Sequence, residues 1–232
     1  MTKDVVKDTT DVAIPVHIGF IADGNRRWAK ERGLHTMEGH KVGFEAIKKV
    51  LNACIKRGVK YVSFYTFSTE NWNRTEEEVS YLMGLVKMNM KKLAKELKEN
   101  GIRLTILGSR EKIDPEIAGF FDEAEKMTKD GKNGTVCICF NYGGKQEIVD
   151  AVNKIEGEVT EEAIDAHMYH PEVPPIDMVV RTSGEQRISG FMLWRAAYSE
   201  FLFLDNYWPD MDDEKVNEVL AEYAHRNRRF GK

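Results

Sequence analysis

Short apolar runs alternate with longer amphipathic stretches along most of this chain, and that alternation strongly limits the folds it can adopt. The apolar runs are rich in β-branched and aromatic residues and are as short as buried strands. The predicted strands lie at 16–22, 61–67, 102–107, 135–140, 176–180 and 201–204. The predicted helices lie at about 38–57, 76–99, 114–129, 143–155 and 212–227. Strands that alternate with helices form βαβ units, so we expect an α/β fold: a single domain with a central, mostly parallel six-stranded sheet flanked by helices.

The 76–99 segment carries the clearest helical pattern, because its apolar residues recur at three- and four-residue spacing. Thr75 and the glutamates after it supply a capping hydroxyl and acids at the positive end of the helix. Leu85, Met88 and Met90 lie outside the main apolar stripe. The composition favours a helix that is buried on two sides. The alternative is that its second apolar face lines an apolar tunnel.

The composition indicates a globular chain and argues against a nucleic-acid partner. Of 232 residues, 42% are hydrophobic and 31% are charged, which is enough apolar mass for a sizeable core. The formal net charge is -4, so we expect no nucleic acid as a partner. No apolar stretch reaches the ~20 residues that span a bilayer, and residues 1–11 are too polar for a secretory signal. We therefore expect any membrane contact to be peripheral.

The three cysteines, Cys54, Cys137 and Cys139, lack the spacing of a metal site. Cys137 and Cys139 stand two apart in a predicted strand, and no second Cys/His pair accompanies them at zinc-binding distance along the chain. We therefore expect all three to be reduced core residues of a cytoplasmic protein.

A polar loop with a carboxylate and two arginines directly follows the first predicted strand. Its residues are Asp23, Gly24, Asn25, Arg26 and Arg27. Ligands of parallel α/β sheets bind beyond the carboxyl ends of the strands. Arginines and helix N-terminal amides suit phosphate oxygens, and a carboxylate beside them suits Mg²⁺. The loop lacks the spacing of a Walker loop, and it is either a phosphate and Mg²⁺ site or a capped turn with a solvated basic face.

A second polar segment follows the strand at 61–67 and lies at the same edge of the predicted sheet. It runs Ser68-Thr69-Glu70-Asn71-Trp72-Asn73-Arg74. Hydroxyls and amides of this kind are also ordinary turn residues. A tryptophan within a polar loop is less ordinary and indicates a half-buried contact.

A third polar segment follows the strand at 176–180. Arg181 and Arg187 stand six residues apart with serines nearby, a pattern that suits a diphosphate. The alternative is a surface loop with an ion pair between Glu185 and Arg187. Together the three segments predict a site for a ligand with at least two phosphates. They leave open a kinase-like transfer, a phosphohydrolase and a prenyl transfer.

Six segments of the chain resemble, in the same order, the undecaprenyl diphosphate synthase family of cis-prenyltransferases. They are HIGFIADGNRRWAK, EGHKVGFEAIKKVL, FYTFSTENWNR, FNYGGKQEIVDAV, DMVVRTSGEQRISGFMLW and AYSEFLFLDNYWPDMD. The resemblance covers residues about 15 to 231 and implies a homodimer with a central parallel sheet and a hydrophobic tunnel. We expect a flexible N-terminal segment at 1–14 and a cis-prenyltransferase domain at 15–232.

The resemblance implies roles for individual side chains. Asp23 and Asn71 would be catalytic, with Asp23 holding Mg²⁺ against the allylic diphosphate and Asn71 helping to remove a proton. Glu200 would be a second Mg²⁺ ligand. The substrate-binding residues would be Gly24, Asn25, Arg26, Arg27, Trp28, His40, Ser68, Thr69, Glu70, Trp72, Arg74, Arg181, Arg187, Ile188 and Ser189. Arg229-Phe230-Gly231 resembles a C-terminal motif of the family that can reach a partner subunit's site.

Three positions depart from the pattern of the family. Thr36 stands where an arginine is common, so a neighbour such as His35 would have to supply that diphosphate contact. Gln186 replaces a histidine before the second clamp arginine and cannot become cationic. Thr66 stands where a smaller alanine is common at the tunnel entrance, which would alter the length of the product.

The resemblance implies an enzyme that adds isopentenyl diphosphate units to an allylic diphosphate, with Mg²⁺ as its cofactor. Farnesyl diphosphate is the expected primer. Undecaprenyl diphosphate, the lipid carrier precursor for cell-wall synthesis, is the expected product. We expect a cytoplasmic homodimer that contacts the inner face of the membrane for product release. The alternatives are a Mg²⁺-dependent lipid-diphosphate phosphohydrolase and a non-catalytic prenyltransferase subunit.

Overall fold

The structure, a computed structural model, describes residues 13–226, and in that range six strands form one sheet. The strands are β1 His17–Ile21, β2 Tyr61–Ser68, β3 Ile102–Leu107, β4 Gly134–Tyr142, β5 Met178–Arg181 and β6 Glu200–Phe203. Their order across the sheet is β3-β4-β2-β1-β5-β6, and all neighbouring strands are parallel. The single α/β domain is therefore confirmed, with a sheet that is parallel throughout. Of the predicted N-terminal segment, 1–14, only Ala13 and Ile14 lie within the described residues.

Within the described range, six α-helices lie between the strands and a seventh follows the last strand. They are α1 Asn25–Glu31, α2 Thr36–Lys56, α3 Glu76–Glu99, α4 Pro115–Thr128, α5 Gly144–Val152, α6 Glu161–His167 and α7 Asp213–His225. The five predicted helices are confirmed to within a few residues at each end. The short helices α1 and α6 lie outside the five predicted ranges, because each has one buried residue, Ala29 or Ile164, and no apolar periodicity results. None of the helices between residues 13 and 226 is long and apolar enough to cross a membrane.

The core is centred on β1, whose residues are all buried because helices cover both faces of the sheet. The rings of Phe20 and Phe64 stack with their centroids 5.6 Å apart. The Trp208 ring contacts both, at centroid distances of 5.9 and 5.8 Å. Its Nε1 donates to the carbonyl of Gly43 over 2.8 Å, which fixes α2 against the sheet. Burial of each such side chain stabilises the fold by roughly 1.5–3 kcal/mol.

The three cysteines are free and buried in the core, as predicted. Burial raises the pKa of both Cys54 and Cys137 to about 12. These thiols therefore stay protonated at neutral pH and pack as small apolar side chains.

The topology places a crevice at the carboxyl end of β1. From β1, the chain builds the sheet outward on one side through β2 and on the other through β5. A reversal of this kind opens a ligand-binding crevice beyond the carboxyl ends of the strands. Ile21 is level with Tyr65 on one side and with Arg181 on the other. The polar segments that follow β1, β2 and β5 therefore meet at one edge of the sheet, as predicted.

Candidate active site

Two adjoining polar hollows, together called the polar cleft below, lie along the carboxyl edge of the sheet. The first has a volume of about 720 Å³, and its lining includes Asp23, Ser68, Arg74, Arg181 and Ser189. The second has a volume of about 690 Å³, and its lining includes Arg26, Arg27, Lys30, His35 and His40. All three predicted polar segments therefore contribute to one cleft, and most of its charged lining residues are basic.

The Asp23 carboxylate lies at the centre of the cleft with cations on two sides. Its Oδ2 accepts a hydrogen bond from Arg181 Nη2 over 2.8 Å, and its Oδ1 lies 3.5 Å from Arg27 Nη2. The backbone also holds this residue, because Thr182 Oγ1 donates to its carbonyl over 2.7 Å. The side chain keeps 30% of its surface exposed, so the carboxylate is oriented by protein yet open to a ligand.

Gly24 allows the chain to turn sharply from β1 into α1. Its φ is 102°, in the left-handed region that favours glycine. A Cβ at this position would lie 2.6 Å from the ring of Tyr207. The turn directs the side chains of Arg26 and Arg27 toward the second hollow, whose lining they join.

Arg181 connects the first and third polar segments from a buried position. It is 4% exposed, and its Nη1 donates to Ser189 Oγ over 2.9 Å and to the carbonyl of Arg187. Its Nε is buried without a hydrogen-bond partner among the described residues. A buried donor of this kind is costly to leave unsatisfied, so a ligand oxygen reaching it would be stabilised.

A carboxylate bridges two of the predicted diphosphate-binding arginines. Glu185 Oε1 lies 3.2 Å from Arg27 Nη1, and its Oε2 accepts from Arg187 Nη1. The hydrogen bond and charge of Arg187, with a smaller contribution from Arg27, lower the pKa of Glu185. The side chain of Arg187 remains 59% exposed at the outer end of this bridge.

The second polar segment begins with a reciprocal cap. Ser68 N donates to Asn71 Oδ1 over 3.0 Å, and the Ser68 side chain accepts from the backbone of Asn71. Thr69 Oγ1 donates to Glu70 Oε2 over 3.3 Å. These four residues line the first hollow, so the cap sets their side chains along one wall.

Trp28 and Trp72 are not among the residues that line the polar cleft, and their predicted contacts with substrate stay a prediction. Trp28 Nε1 donates to Asp210 Oδ1 over 2.6 Å. Trp72 Nε1 donates to Asn141 Oδ1 over 2.7 Å, and its ring packs edge-on against Phe67 with centroids 5.1 Å apart. Both indoles are half-buried and fix neighbouring segments.

His40 and Arg74 lie where the two hollows meet, and both contact Glu78. His40 Nε2 is 2.9 Å from Glu78 Oε1, and Arg74 Nη1 is 2.8 Å from the same oxygen. Burial lowers the pKa of His40, although the hydrogen bond to Glu78 opposes that shift. The sequence shows Glu78 only as an acid in the first turn of a helix. Its burial comes from the packing of α3 on α2, which the sequence pattern does not reveal.

Glu200 lies at the edge of the sheet opposite Asp23. It is level with Met178 in β5, which is level with Ile18 near the start of β1. Its Oε2 accepts from Arg226 Nη1 over 3.1 Å. One chain therefore does not bring Glu200 to Asp23 as a pair of metal ligands. Ile188 also lies outside the cleft lining and packs on an apolar cluster, and the Arg229-Phe230-Gly231 motif lies outside the described residues.

An apolar cavity of about 100 Å³ lies beneath the polar cleft, between the sheet and helices α2 and α3. Its apolar lining includes Phe44, Ile47, Leu82, Leu85, Val86, Met90, Leu93, Phe121, Ile138 and Phe140. Asn25, His40, Tyr65 and Thr66 line both the cavity and the cleft, so the two spaces adjoin. The helix at 76–99 therefore lines an apolar space, as the alternative interpretation of its second apolar face expected. Met88, outside the cavity lining, is 71% exposed.

The three residues that depart from the family pattern differ in their burial and in their position relative to the cleft. Thr36 lines the second hollow beside His35. Gln186 is exposed on the third polar segment. Thr66 Oγ1 donates to the carbonyl of Cys139 over 3.0 Å, so its hydroxyl is satisfied within the sheet at the mouth of the cavity.

Comparison with known proteins gives one consistent result. The family model for undecaprenyl diphosphate synthase (Prenyltransf) matches residues 21–231. An isoprenyl transferase from Neisseria meningitidis serogroup B is 44% identical over 235 residues, covering 100% of this chain and 94% of the relative. A decaprenyl diphosphate synthase from Mycobacterium leprae is 42% identical over 228 residues, covering 94% of this chain and 77% of the relative.

A solved structure gives the same result for the fold. Lavandulyl diphosphate synthase from Lavandula x intermedia, in complex with dimethylallyl diphosphate, superposes with a TM-score of 0.89 at 28% identity. That superposition covers 94% of this chain and 99% of the other. The cleft, the cavity and these relatives agree, and the chain belongs to the undecaprenyl diphosphate synthase family of isoprenyl transferases.

Proposed function

We propose that this isoprenyl transferase is a Mg²⁺-dependent cis-prenyltransferase that extends farnesyl diphosphate with isopentenyl diphosphate units to undecaprenyl diphosphate. The observation that carries the proposal is that a basic polar cleft adjoins an apolar cavity. A substrate with a diphosphate head and an isoprenoid tail matches both spaces. The product would serve as the lipid carrier precursor for cell-wall synthesis.

The two diphosphates would occupy different parts of the polar cleft. The allylic diphosphate would lie in the second hollow, where Arg26 and Arg27 follow the Gly24 turn. Isopentenyl diphosphate would lie against Arg181 and Ser189 in the first hollow. Arg187, whose side chain is largely exposed, has the freedom to turn from Glu185 toward that second substrate. Holding both substrates together supplies much of the rate of such a reaction.

Mg²⁺ fits the chemistry of the Asp23 carboxylate. Magnesium takes one or two carboxylates and fills its remaining positions with water and substrate phosphate oxygens. Among the described residues no cluster of three or more His, Cys, Asp or Glu side chains could enclose a metal. A single open carboxylate beside a diphosphate pocket is therefore the arrangement that supports a magnesium ion shared with substrate. Bound there, the ion would neutralise charge that develops on the departing diphosphate.

The residues of the cleft would guide one carbon–carbon bond-forming step per unit. Arg26 and Arg27 would stabilise the departing diphosphate while the allylic carbon gains cationic character. The double bond of isopentenyl diphosphate, anchored by Arg181, would attack that carbon as its bond to the allylic diphosphate breaks. A proton would then pass from the added unit to the released diphosphate, which leaves a cis double bond. Asn71 lines the cleft with its oxygen held by Ser68 N, and we assign it to assisting that proton loss.

The growing tail would enter the apolar cavity. Burial of each methylene stabilises the bound chain by about 0.8 kcal/mol, so elongation is favoured until the far end of the cavity is reached. Undecaprenyl diphosphate is the proposed product. Because a decaprenyl diphosphate synthase is among the relatives, a product that is one unit shorter is the second candidate. The space would have to widen, because its present volume is about 100 Å³.

The outer edge of β6 supports a homodimer. This strand ends the sheet, and no described strand pairs with its outer side. Phe201 is 36% exposed and Tyr198 is 79% exposed beside it. A free strand edge with exposed aromatic rings is a surface that a second copy can cover. Such a dimer would also bring the partner's chain near Glu200 at that edge.

The proposed enzyme would be cytoplasmic and would contact the inner face of the membrane peripherally. The exposed face of α3 supports this contact. Met88 is exposed there, and Lys91, Lys92 and Lys95 are exposed on the next turns. Near an anionic membrane surface, each lysine contributes about 1 kcal/mol of electrostatic attraction to the lipid headgroups. This face lies on the helix that lines the cavity, so it suits release of a lipid product.

Release of inorganic diphosphate distinguishes this function from the phosphohydrolase alternative. A transferase releases diphosphate from farnesyl diphosphate only when isopentenyl diphosphate is also present, and longer organic-extractable products appear in step with it. Release of phosphate from farnesyl diphosphate alone, without longer products, would instead support the phosphohydrolase.

A further inference from the structure

Glu78 is a buried carboxylate in the wall of the polar cleft. It is 5% exposed, whereas Glu76 and Glu77, beside it in the first turn of α3, are exposed. Desolvation makes a buried carboxylate unfavourable unless charged partners and hydrogen bonds compensate. The burial of Glu78 therefore requires specific partners. A position in the first turn of the helix does not explain this burial, because Glu76 and Glu77 occupy the same turn and are exposed.

The partners of Glu78 come from three different segments around the cleft. Its Oε1 accepts from His40 Nε2 on α2 over 2.9 Å and from Arg74 Nη1 over 2.8 Å. Its Oε2 lies 3.8 Å from Arg26 Nη1 on α1. Burial opposes ionisation of Glu78, yet the hydrogen bond from His40 and the charges of Arg74 and Arg26 together lower its pKa. The group is therefore a carboxylate at neutral pH.

All three partners line the hollow assigned to the allylic diphosphate, and Arg26 lines that hollow alone, whereas His40 and Arg74 also border the hollow assigned to isopentenyl diphosphate. Glu78 lines neither hollow. We propose that Glu78 is a positioning residue: it holds His40, Arg74 and Arg26 in the orientation that receives the allylic diphosphate. This inference rests on the proposed function and adds a residue to its binding machinery. Glu78 acts through these side chains and makes no contact with substrate itself.

The Glu78 carboxylate could affect the binding of an anionic substrate in two opposite ways, so the direction of the change in affinity tests the proposal. A carboxylate near the hollow repels the diphosphate, so its removal alone would tighten binding. The same carboxylate orients two hydrogen-bond donors, His40 and Arg74. If these side chains lost their orientation, diphosphate binding would weaken. Charge-assisted hydrogen bonds depend strongly on geometry, and the negative charge is already balanced by the surrounding cations. The orientation of the donors by Glu78 is therefore expected to affect binding more than the repulsion between Glu78 and the diphosphate.

Two conservative variants separate the effect of the charge from the effect of the position of the oxygens. Glu78→Gln removes the charge but keeps an oxygen that can accept both hydrogen bonds. Glu78→Asp keeps the charge but withdraws the oxygens by one methylene. Glu77→Gln is the matched control, because it removes an exposed glutamate from the same helical turn. Farnesyl diphosphate binding is measured by calorimetry with Mg²⁺ and without isopentenyl diphosphate, and both KM values are measured in the elongation assay.

The proposal expects Glu78→Asp to weaken farnesyl diphosphate binding at least fivefold and to raise its KM in parallel. Because Arg26 borders only the allylic hollow, the KM for isopentenyl diphosphate should rise less than the KM for farnesyl diphosphate, a split that general loss of folded protein would not produce. Glu78→Gln should weaken farnesyl diphosphate binding by no more than threefold, and Glu77→Gln should bind it as the wild type does. Wild-type binding by Glu78→Asp, or tighter binding by either Glu78 variant, would overturn the proposal, as would equal increases in both KM values. If the wild type binds no farnesyl diphosphate and makes no longer product, the proposed function itself fails, which is a distinct result.

Discussion

Asp23 and Arg181 form a 2.8 Å ion pair at the carboxyl ends of β1 and β5, two strands that pair directly in the sheet. Ile21 and Arg181 are level in that pairing, so the two side chains meet where both strands end. The sheet thus sets the distance between the group assigned to Mg²⁺ and the group assigned to isopentenyl diphosphate.

Replacing Arg181 with lysine tests whether its fork geometry matters beyond its charge. Arg181 donates at once toward Asp23, Ser189 and the carbonyl of Arg187. A lysine keeps the charge but not the planar fork. We expect kcat/KM for isopentenyl diphosphate to fall about 30-fold or more, which corresponds to ~2 kcal/mol. Steady-state kinetics measure this effect.

Arg103→Lys is the matched control for Arg181→Lys. Arg103 pairs with Glu172 over 3.0 Å at the surface, where both side chains are exposed. Exposed pairs contribute little, so this variant should keep the wild-type kinetics. Equal effects of the two substitutions would contradict a specific role for Arg181.

Gly24→Ala tests the sharp turn that begins α1. The φ of 102° and the Tyr207 ring 2.6 Å from a Cβ both oppose a side chain. Gly33→Ala is the control, because Gly33 has a φ of 66° but nothing within 4 Å of a Cβ. We expect Gly24→Ala to lower the free energy of unfolding by about 1–3 kcal/mol more than Gly33→Ala does. Urea denaturation measures the difference, and equal losses would show that the Tyr207 contact relaxes freely.

His17 predicts a pH dependence of stability. Burial lowers the pKa of His17 to about 4, and its ring contacts Pro174 O and Ser63 Oγ at 2.9 and 2.7 Å. The unfolded chain takes up a proton near pH 6.5 while the folded chain resists it. The stability is therefore fully present above pH 6.5 and declines as the pH falls toward 4, by roughly 3 kcal/mol.

The variant His17→Gln isolates this effect from other titrating groups. Its free energy of unfolding should decline less between pH 6.5 and pH 4 than that of the wild type, when both are measured by denaturant titration. An unchanged slope in His17→Gln would show that the folded state protonates this ring without penalty.

Leu93→Ala tests whether the deep end of the apolar cavity limits the product. Leu93 is the lining residue of α3 that lies farthest along the helix from the polar cleft. Its truncation should lengthen the space and shift the products of elongation toward longer chains. Leu97→Ala is the control, because Leu97 is also buried in α3 but is not part of the lining. Both variants should lose about 2–5 kcal/mol of stability, but only Leu93→Ala should change the chain lengths, as resolved by chromatography.

The sequence predicted local structure better than contacts between distant segments. The three- and four-residue spacing in 76–99 located α3 correctly, because that signal lies within one segment. The same pattern could not show whether Leu82 and Leu85 face protein or an open space, since an apolar face is identical in both cases. The alternation of strands and helices likewise predicted the edge at which Asp23 and Arg181 meet.

Side chains whose roles depend on distant partners were beyond the sequence pattern. Trp72 was expected to make a half-buried contact, and it does, but with Asn141, 69 positions away. Glu78 looked like an ordinary first-turn acid, because its contact with His40 arises only from the packing of two helices. Glu200 lies at the opposite edge of the sheet from Asp23, so its assigned role requires an arrangement that one chain does not contain.

Incorporation of labelled isopentenyl diphosphate into organic-extractable product, primed by farnesyl diphosphate, tests the proposed reaction most directly. The wild type and Asp23→Ala are compared with and without Mg²⁺, and the products are resolved by chain length. We expect Mg²⁺-dependent growth to long-chain products by the wild type and a loss of at least a hundredfold, ~2.7 kcal/mol, in Asp23→Ala. Chain growth that needs no Mg²⁺, or that survives loss of the Asp23 carboxylate, would contradict the proposed mechanism.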